Sequence, residues 1–339
     1  NVKSGKLKAV GLDIGTSSVK LVELSMEDGV FTAESVAMAV IDMKGKDPSN
    51  RPYQTVEAIR KCFKESGVGN YNAICALSGN DVSVRTFSFP PIPQESLSQA
   101  VTLEAAQVCP LDVKKSVVGY QILESNGKIK GVLVVALKNA VNSRIDVTNA
   151  ASVKTMLMDI EGLALINSVK EVCGIPDGQT IAVIDFGKSS TNIAIRGGNG
   201  YPFVRDLPQA ADSIIYNISN TSRQSQEKIA GAMLNGDPAI DLKGYMAQAC
   251  KSLVVDIRET VRFYALQGEA TRIEKVYVCG GFSLAEEFYD YISKEFSAEV
   301  VRWNPFSEIK LSKSIENVES IEKSGPLYSV AVGLAMRAL

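Results

Sequence analysis

Residues 10–21, "VGLDIGTSSVKL", recur half a chain later in an altered form. They align without a gap on residues 182–193, "AVIDFGKSSTNI", which places an aspartate, a glycine and two serines at equivalent positions. Each copy has apolar strand-forming residues, a carboxylate near the end of the first strand, a glycine turn and a second strand. The repeated hairpin predicts two related halves of one fold.

The two turns have the chemistry of a phosphate site, because glycine lets the backbone approach closely and small hydroxyls add donors without bulk. Mg²⁺ bound to nucleotide phosphates is held by one or two carboxylates. We therefore expect Asp13 and Asp185 to be metal ligands; for either copy alone, an aspartate that caps its own turn is the alternative. The other residues expected to contact the nucleotide are Gly15, Thr16, Ser17, Ser18 and Lys20 in the first copy, and Gly187, Lys188, Ser189, Ser190 and Thr191 in the second.

A third motif, "VYVCGGFS" at 276–283, is a predicted buried strand that ends in Gly280 and Gly281 and is followed by Ser283. Bare glycine backbone at such a turn lets a purine and its ribose lie against it. We expect these three residues to contact the nucleotide. A simple packing turn between strand and helix is the alternative.

Composition excludes several classes of function. The chain has 339 residues, 45% of them hydrophobic, which is enough for two or more domains. The net charge of -2, with both signs interspersed, argues against a nucleic-acid partner. The absence of histidine removes Ser-His catalysis and imidazole metal sites. The six cysteines form no C-x-x-C pair and are expected to be buried, reduced thiols.

No stretch of the sequence predicts direct membrane insertion. The apolar run "GVLVVAL" at 131–137 is far shorter than the roughly 18 residues that a membrane helix needs. The N-terminus also lacks a secretory apolar region. We expect a cytoplasmic protein that reaches a membrane only through a partner.

A small subdomain is predicted in the first half. "FPPIP" at 89–93 interrupts regular structure and marks a linker into an insertion. A helix at 94–108 and strands at 117–123 and 131–137 are enough for such a unit. Further helices are predicted at 52–65, 143–152, 160–172, 209–219, 223–234 and 243–267, the last with an apolar stripe of Leu253, Val254, Ile257, Val261 and Ala265 expected in the core.

Hairpin, hairpin and strand-Gly-Gly, in this order, resemble the ATPase superfamily that contains actin, sugar kinases and the heat-shock chaperone ATPases. The resemblance implies an α/β, actin-like ATPase fold: two ribonuclease-H-like lobes with ATP or ADP and Mg²⁺ in the cleft between them. Residues 158–169 and the Gly- and Ala-rich 325–339 resemble the two interlobe helices. Glu161 matches the position that orients the attacking water in some relatives; a structural carboxylate at a helix end is the alternative.

"VRTFSFPPIPQESLSQAVTLEAAQVCPLDVKKSVVGYQIL" (84–123) resembles the inserted subdomain of the FtsA/PilM family of actin-like proteins. "GLDIGTSSVKLVEL" (11–24), with Lys20 and Glu23, residues 132–151 and "VVRWNPFSEI" (300–309) resemble the PilM branch more closely. That branch implies a nucleotide-binding adaptor of type IV pilus assembly, peripheral to the inner membrane. Its partners would be the cytoplasmic N-terminal peptide of a PilN-like inner-membrane protein and other pilus platform or motor proteins. The peptide groove is expected between 85–140 and the facing first lobe.

The resemblance also implies a division of the chain. The first lobe comprises 1–83 and 154–175, separated by the inserted subdomain, 84–153. The second lobe comprises 176–324, with a small subdomain at about 206–270, and the interlobe helix 325–339 returns to the first lobe.

The second lobe departs from the family pattern. "LPQAADSII" (207–215) has Ala210 and Ala211 where a Gly-Gly turn is usual and Ile215 where threonine is common. "QEKIAGAML" (226–234) keeps Glu227, which clamps adenosine, but has Ala230 in place of a lysine. Loss of that charged hydrogen bond, about 1.5 to 3 kcal/mol, weakens ATP binding about tenfold to a hundredfold. We expect nucleotide binding with hydrolysis slow or absent, at most a weak ATPase.

Three other functions remain compatible with the sequence. A small-molecule kinase of this fold needs a general-base aspartate and a substrate pocket, and no further aspartate motif stands out. An FtsA-like cell-division protein would form filaments. A degenerate relative would have an empty cleft and bind only the peptide.

Overall fold

Three β-sheets and eleven helices make up the residues that this computed structural model describes, 6–124, 127–236, 240–267 and 271–339. The strands are β1 (Leu7–Ile14), β2 (Ser18–Glu27), β3 (Val30–Val40), β4 (Asn72–Leu77), β5 (Val82–Phe89), β6 (Ser116–Glu124), β7 (Ile129–Leu137), β8 (Lys154–Ile160), β9 (Ile181–Phe186), β10 (Thr191–Arg196), β11 (Pro202–Leu207), β12 (Lys275–Cys279), β13 (Glu299–Arg302) and β14 (Lys310–Leu311). The helices are α1 (Arg51–Ser66), α2 (Gln94–Val108), α3 (Lys138–Ala150), α4 (Glu161–Cys173), α5 (Ala211–Ser222), α6 (Gln226–Asn235), α7 (Leu242–Ala249), α8 (Lys251–Ala265), α9 (Glu286–Ser293), α10 (Val318–Ser324) and α11 (Ser329–Met336).

The two large sheets share one topology. The first has the order β14-β3-β2-β1-β4-β8 and the second the order β11-β10-β9-β12-β13. In each, a three-stranded antiparallel meander is extended by two strands parallel to its first strand. The repeated hairpins are β1–β2 and β9–β10, so the predicted two related halves and the α/β fold are confirmed.

Two helices cross closely between these sheets. Helices α4 and α11 contribute to a core that also contains Ala9 and Ile74 of the first sheet and Val183 of the second. A Cβ at Gly333 would strike the Ala164 carbonyl oxygen, and one at Gly11 would strike that of Ala331. The small residues therefore permit the close crossing that the sequence predicts, although a turn of 3₁₀ helix over Gly325–Tyr328 precedes α11.

The third sheet, with the order β5-β7-β6, is antiparallel and carries α2 on one face. Strands β6 and β7 and helix α2 lie where the sequence predicts them. Two elements outside this sheet pack against the first sheet. Helix α3 follows β7 directly, yet Val147 packs in the core of the first sheet. Strand β14 pairs with β3 of the first sheet, although its residues fall within 176–324.

The predicted long helix at 243–267 is wrong, because α7 ends at Ala249 and α8 begins at Lys251. Cys250 between them has φ -90° and ψ 0°, which turns the chain. In the apolar stripe of α8, Leu253, Val254 and Ile257 are buried but Ala265 is exposed. Periodicity predicts a helical face, but it carries no signal for a change of direction.

All six cysteines are free thiols, as expected. Cys62, Cys75, Cys250 and Cys279 are buried, whereas Cys109 is partly buried and Cys173 is exposed. No helix within the described ranges combines the length and the apolar character that crossing a membrane requires.

Candidate functional site

A cavity of about 970 Å³ lies where the turns of both repeated hairpins meet. The N-terminal end of α5, one side of α6 along its length and the turn after β12 line its other sides. The two copies of the hairpin motif and the Gly-Gly motif are far apart in sequence, and the fold brings them together around this cavity.

Most of the predicted site residues line this cavity, but three do not. The Ser189 hydroxyl donates to Asp212 Oδ2 (3.1 Å). Thr191 and Ser283 are buried, and their hydroxyls donate to the carbonyl oxygens of Gln209 and Gly280, each at 2.7 Å. These three hydroxyls therefore make hydrogen bonds within the protein and do not line the cavity. The predicted residues in the lining are Asp13, Gly15, Thr16, Ser17, Ser18, Lys20, Glu161, Asp185, Gly187, Lys188, Ser190, Glu227, Gly280 and Gly281.

The two hairpin turns have the same hydrogen-bond geometry. The Gly15 N–H donates to the Ser18 carbonyl oxygen and the Gly187 N–H to that of Ser190, both at 3.1 Å. A Cβ at Gly187 would lie 2.8 Å from the Ser190 oxygen, so glycine is required there by close approach. The equal geometry extends the sequence repeat to the backbone.

The two turns differ in charge. Asp13 and Lys20 are cross-strand neighbours with side chains only 9% and 13% exposed, and Lys20 Nζ donates to Asp13 Oδ2 (3.0 Å). Burial acts to lower the pKa of Lys20, but the charge and hydrogen bond of Asp13, with the charges of Asp185 and Glu161, raise it overall. Lys20 is therefore a cation inside the cleft.

In the second turn, Asn192 takes the position of Lys20 opposite Asp185. Its amide donates to Asp206 Oδ1 (2.8 Å), and Asp206 Oδ2 accepts the N–H of Gly79 (2.9 Å). This pair of bonds joins the second sheet to the chain that follows β4. The second half thus uses the equivalent position to hold the lobes together.

Two further carboxyl groups in the cleft resist ionisation. Burial, with the negative charges of Asp13 and Asp185, raises the pKa of Glu161 to about 8, against the opposing effects of Arg144 and Ser78. Burial likewise raises the pKa of Asp185 to about 6, although the Lys20 charge acts to lower it. Burial is thus the main cause of both shifts, and the negative charges of neighbouring carboxylates add to it.

The donor set fits a magnesium ion that is shared with phosphate. Within the described ranges, no three His, Cys, Asp or Glu side chains stand close enough to hold a metal by themselves. Asp13 and Asp185 each present one carboxylate to the cavity from a different lobe. Mg²⁺ typically takes one or two carboxylates together with phosphate oxygens and water, so these two residues meet its requirement when phosphate supplies the rest.

The Gly-Gly turn also packs against the second hairpin. Gly280 has φ +86°, a conformation that favours glycine, and a Cβ there would strike Asp185 Oδ1. Gly281 lines the cavity, with Leu327 as its nearest neighbour at 3.6 Å from an added Cβ. Both interpretations of this motif thus have a basis: Gly280 packs against Asp185, and Gly281 presents bare backbone to the cavity.

The far end of the cavity, between α5 and α6, is largely apolar. Ala230 faces the cavity where the family pattern has a lysine. The nearby Lys228 does not replace it, because Lys228 Nζ donates to Gln224 Oε1 (3.0 Å). The lining at this end is Ala211, Asp212, Ile215, Gln226, Glu227, Ala230, Met233, Leu234, Phe282 and Leu284.

Two arginines in the lining are absent from the sequence prediction. Arg51 Nη1 donates to the carbonyl oxygen of Thr16 (2.7 Å), and Arg144 Nη1 donates to that of Ile14 (2.9 Å). A guanidinium has five N–H donors, so each arginine can hold the first hairpin and also contact an anion. They come from α1 and α3, outside every recognisable motif, and no signal in one sequence reveals them.

The repeated topology, the crossed interlobe helices and the cleft between paired hairpins define an actin-like ATPase fold. Sequence comparison gives the family: the chain belongs to the type IV pilus assembly protein PilM family, whose family model matches residues 11–339.

Solved structures of several proteins are similar to this chain. The PilM-PilN type IV pilus biogenesis complex has a TM-score of 0.82 at 19% identity, covering 98% of this chain and 99% of that one. The ethanolamine utilization protein EutJ from Carboxydothermus hydrogenoformans has a TM-score of 0.58 at 14% identity, covering 97% and 89%. The nucleotide-free diol dehydratase-reactivating factor has a TM-score of 0.54 at 10% identity, covering 97% and 99%. At these identities the likeness concerns the fold.

Proposed function

We propose that this chain is a nucleotide-binding adaptor of type IV pilus assembly that captures the cytoplasmic N-terminal peptide of a PilN-like inner-membrane protein. The observation that carries the nucleotide part is the convergence of both hairpin turns and the Gly280-Gly281 turn on one cavity of about 970 Å³. The similar PilM structure is a complex with PilN, which supports the peptide part. The adaptor would work at the cytoplasmic face of the inner membrane and meet other platform or motor proteins there.

The cleft would hold ATP or ADP along its length. The two hairpin turns would take the phosphates, with Lys20 supplying positive charge inside the cleft. The base would lie on the apolar end between α5 and α6, against Gly281. The Glu227 carboxylate would accept hydrogen bonds from ribose hydroxyls, since an ionised carboxylate has only acceptors.

Mg²⁺ would be held by Asp13 and Asp185. When bound, it neutralises phosphate charge and offsets the negative charge of the two carboxylates. Because the two aspartates come from different lobes, this arrangement would favour a closed cleft when nucleotide is present.

Hydrolysis is proposed to be slow or absent. Glu161, the candidate for orienting water, has a pKa raised to about 8 and is therefore mainly protonated near neutral pH. A protonated carboxyl cannot accept a proton from water. Ala230 further weakens the hold on adenosine. The cleft would therefore hold a bound nucleotide and hydrolyse it only slowly or not at all.

The partner peptide would bind between the inserted subdomain and the first lobe. Strand β6 is an edge of the three-stranded sheet, and β8 is an edge of the first sheet. Both expose large apolar side chains, and an open edge accepts an extended chain through main-chain hydrogen bonds. The exposed apolar residues are Val117, Tyr120, Ile122 and Leu123 on β6, with Met156 and Leu157 on β8.

Calorimetric titration tests both parts separately. Mg²⁺-ATP and a synthetic N-terminal peptide of a PilN-like protein are titrated into the folded protein, and chromatography then measures how much ATP has become ADP. We expect saturable binding of each, with ATP recovered largely intact. A folded protein that binds neither would contradict the proposal, and rapid ADP formation would contradict the claim of slow hydrolysis.

A further inference from the structure

One end of the cavity has no part in the proposed nucleotide site. It lies in the first lobe between helices α1 and α3, which both pack in the core of the first sheet. The base is proposed to lie at the other end, between α5 and α6, and the phosphates at the hairpin turns between the two ends. The end between α1 and α3, called the first-lobe end below, therefore lies beyond the terminal phosphate.

Helix α3 turns one face to the first-lobe end. Its lining residues are spaced i, i+3, i+4 and i+7, a spacing that places side chains on a single face of a helix. The four residues are Ala140, Ser143, Arg144 and Val147. Arg51 of α1 and Asp81 of the turn after β4 line the same end.

Positive charge exceeds negative charge at the first-lobe end. Among the described lining residues of α1, α3 and the turn after β4, two are cationic, Arg51 and Arg144, and one is anionic, Asp81. Arg51 Nη1 donates to the Thr16 carbonyl oxygen and Arg144 Nη1 to that of Ile14. A guanidinium has five N–H donors in a planar fork. Each arginine therefore holds the first hairpin and keeps N–H groups for an anion.

The cavity has room for a ligand beside the nucleotide. Its volume of about 970 Å³ is near the upper limit of the roughly 300–1,000 Å³ that small-molecule sites occupy. The first-lobe end offers apolar surface from Val147 and polar groups from Ser143 and Asp81. Such a mixed lining suits a small organic anion that also carries hydroxyl groups.

We propose that the first-lobe end binds a small, hydroxylated phosphate ester together with the nucleotide. Arg51 and Arg144 hold its phosphate, because guanidinium groups match phosphate oxygens in paired, charge-assisted hydrogen bonds. The Asp81 carboxylate accepts a hydrogen bond from a hydroxyl of the ester. This inference rests on the proposed nucleotide binding and adds a second ligand to the same cleft.

The probe is glycerol 3-phosphate, and calorimetry measures its binding to the full chain saturated with Mg²⁺ and β,γ-imido ATP. This analogue resists hydrolysis and keeps the terminal phosphate position occupied. We expect saturable binding of glycerol 3-phosphate to the saturated protein and none of glycerol, which has no anionic group. A chain that does not bind the analogue contradicts the proposed function itself.

Three results of this titration overturn the inference and leave nucleotide binding intact. The first is that glycerol 3-phosphate does not bind to the saturated protein. The second is that it displaces the analogue, because both would then compete for one phosphate position. The third is that inorganic phosphate binds as tightly as the ester, because the anion alone would then be recognised.

A bulky side chain on α3 tests the position of the second ligand. Ser143→Phe fills the first-lobe end from an exposed residue, and Asn142→Phe, at the neighbouring exposed residue outside the lining, is the matched control. We expect Ser143→Phe to weaken glycerol 3-phosphate binding at least about tenfold and Asn142→Phe to leave it unchanged. Melting temperatures report whether both variants are folded. Equal affinities of the two variants for the probe overturn the inference.

Removing a guanidinium tests the phosphate contact. Arg51→Ala should weaken glycerol 3-phosphate binding about tenfold or more. Arg60→Ala is the control, because Arg60 is an exposed arginine on the same helix α1 that does not line the cavity. A loss of the same size in both variants would reflect general charge attraction and overturn the assignment of this contact.

Discussion

Lys20 Nζ donates to Asp13 Oδ2 at 3.0 Å across the first hairpin, whereas Asn192 occupies the equivalent position of the second. The two hairpins therefore have equivalent backbones but carry side chains with different functions at this position. The first hairpin places a charged pair in the cleft. In the second hairpin, Asn192 occupies the same position and donates to Asp206, which joins the lobes.

Removing the Lys20 ammonium tests the charged pair. Lys20→Met leaves Asp13 buried without its partner, so we expect a loss of about 3 kcal/mol in the free energy of unfolding and at least about tenfold weaker ATP binding. Urea denaturation and calorimetry measure the two effects. Lys8→Met is the matched control, because Lys8 pairs with Glu23 (3.1 Å) in the same hairpin but is 45% exposed; it should cost less than about 1 kcal/mol. Equal effects of the two variants would contradict the account.

The raised pKa of Glu161 predicts a pH dependence of stability. The unfolded chain loses this proton near the ordinary value of 4.5, and the folded protein keeps it until about pH 8. The stabilisation present below about pH 4.5 is therefore lost as the pH rises through 8. Glu161→Gln should flatten this fall and be more stable than the wild type at about pH 8, by a few kcal/mol at most. Urea denaturation across this range measures it.

Glu171→Gln is the control for that pH series, since Glu171 lies on the same helix α4 with its side chain 45% exposed. Its stability curve should follow that of the wild type. A Glu161→Gln variant that also follows the wild type would show that Glu161 is ionised at neutral pH in the folded protein.

Restoring the missing lysine should strengthen nucleotide binding. Ala230→Lys adds a charged donor to the apolar end of the cleft, and we expect about tenfold to a hundredfold tighter ATP binding. Gly231→Lys places the same charge one residue further along α6, outside the cavity lining, where an added Cβ meets no atom within 4 Å. Calorimetry compares the two variants, and an equal gain in both would point to general charge attraction.

Arg144 is expected to support the first hairpin and the nucleotide together. Arg144→Ala removes the donor to Ile14 and a cation from the cavity, so ATP binding should weaken about tenfold or more. Arg60→Ala is the control, because Arg60 also donates to a backbone carbonyl, that of Ala150 (2.6 Å), but does not line the cavity. If ATP affinity changed by the same factor in both variants, Arg144 would have no specific role in nucleotide binding.

The fold was largely predictable because its signals are local and repeated. The aligned hairpins, the Gly-Gly turn after β12 and the helix at 94–108 each carry a pattern within a few residues. The break at Cys250 was not predictable, since the apolar period continues on both sides of the turn. The pairing of β14 with β3 was also not predictable. It joins residues that are far apart in the sequence, and β14 is only two residues long, which is too short to show a strand pattern.

The candidate site was predictable to the same extent. Residues within the three motifs meet in the cavity because strand ends fix their positions. Arg51 and Arg144 act through long-range contacts from elements that carry no motif, so only the folded chain reveals them. Ser283 and Thr191 have the residue types of a phosphate site, but their hydroxyls are used by nearby carbonyl oxygens.

The central claim is that the paired hairpins hold nucleotide phosphate and Mg²⁺, and ATP affinity with and without Mg²⁺ tests it most directly. Calorimetry on the wild type and on Asp13→Asn, which keeps the side-chain volume, gives four dissociation constants. We predict that the wild type binds ATP more tightly with Mg²⁺ than with EDTA, and that Asp13→Asn loses at least about tenfold of that advantage. The same affinity and the same Mg²⁺ dependence in both proteins would contradict the account.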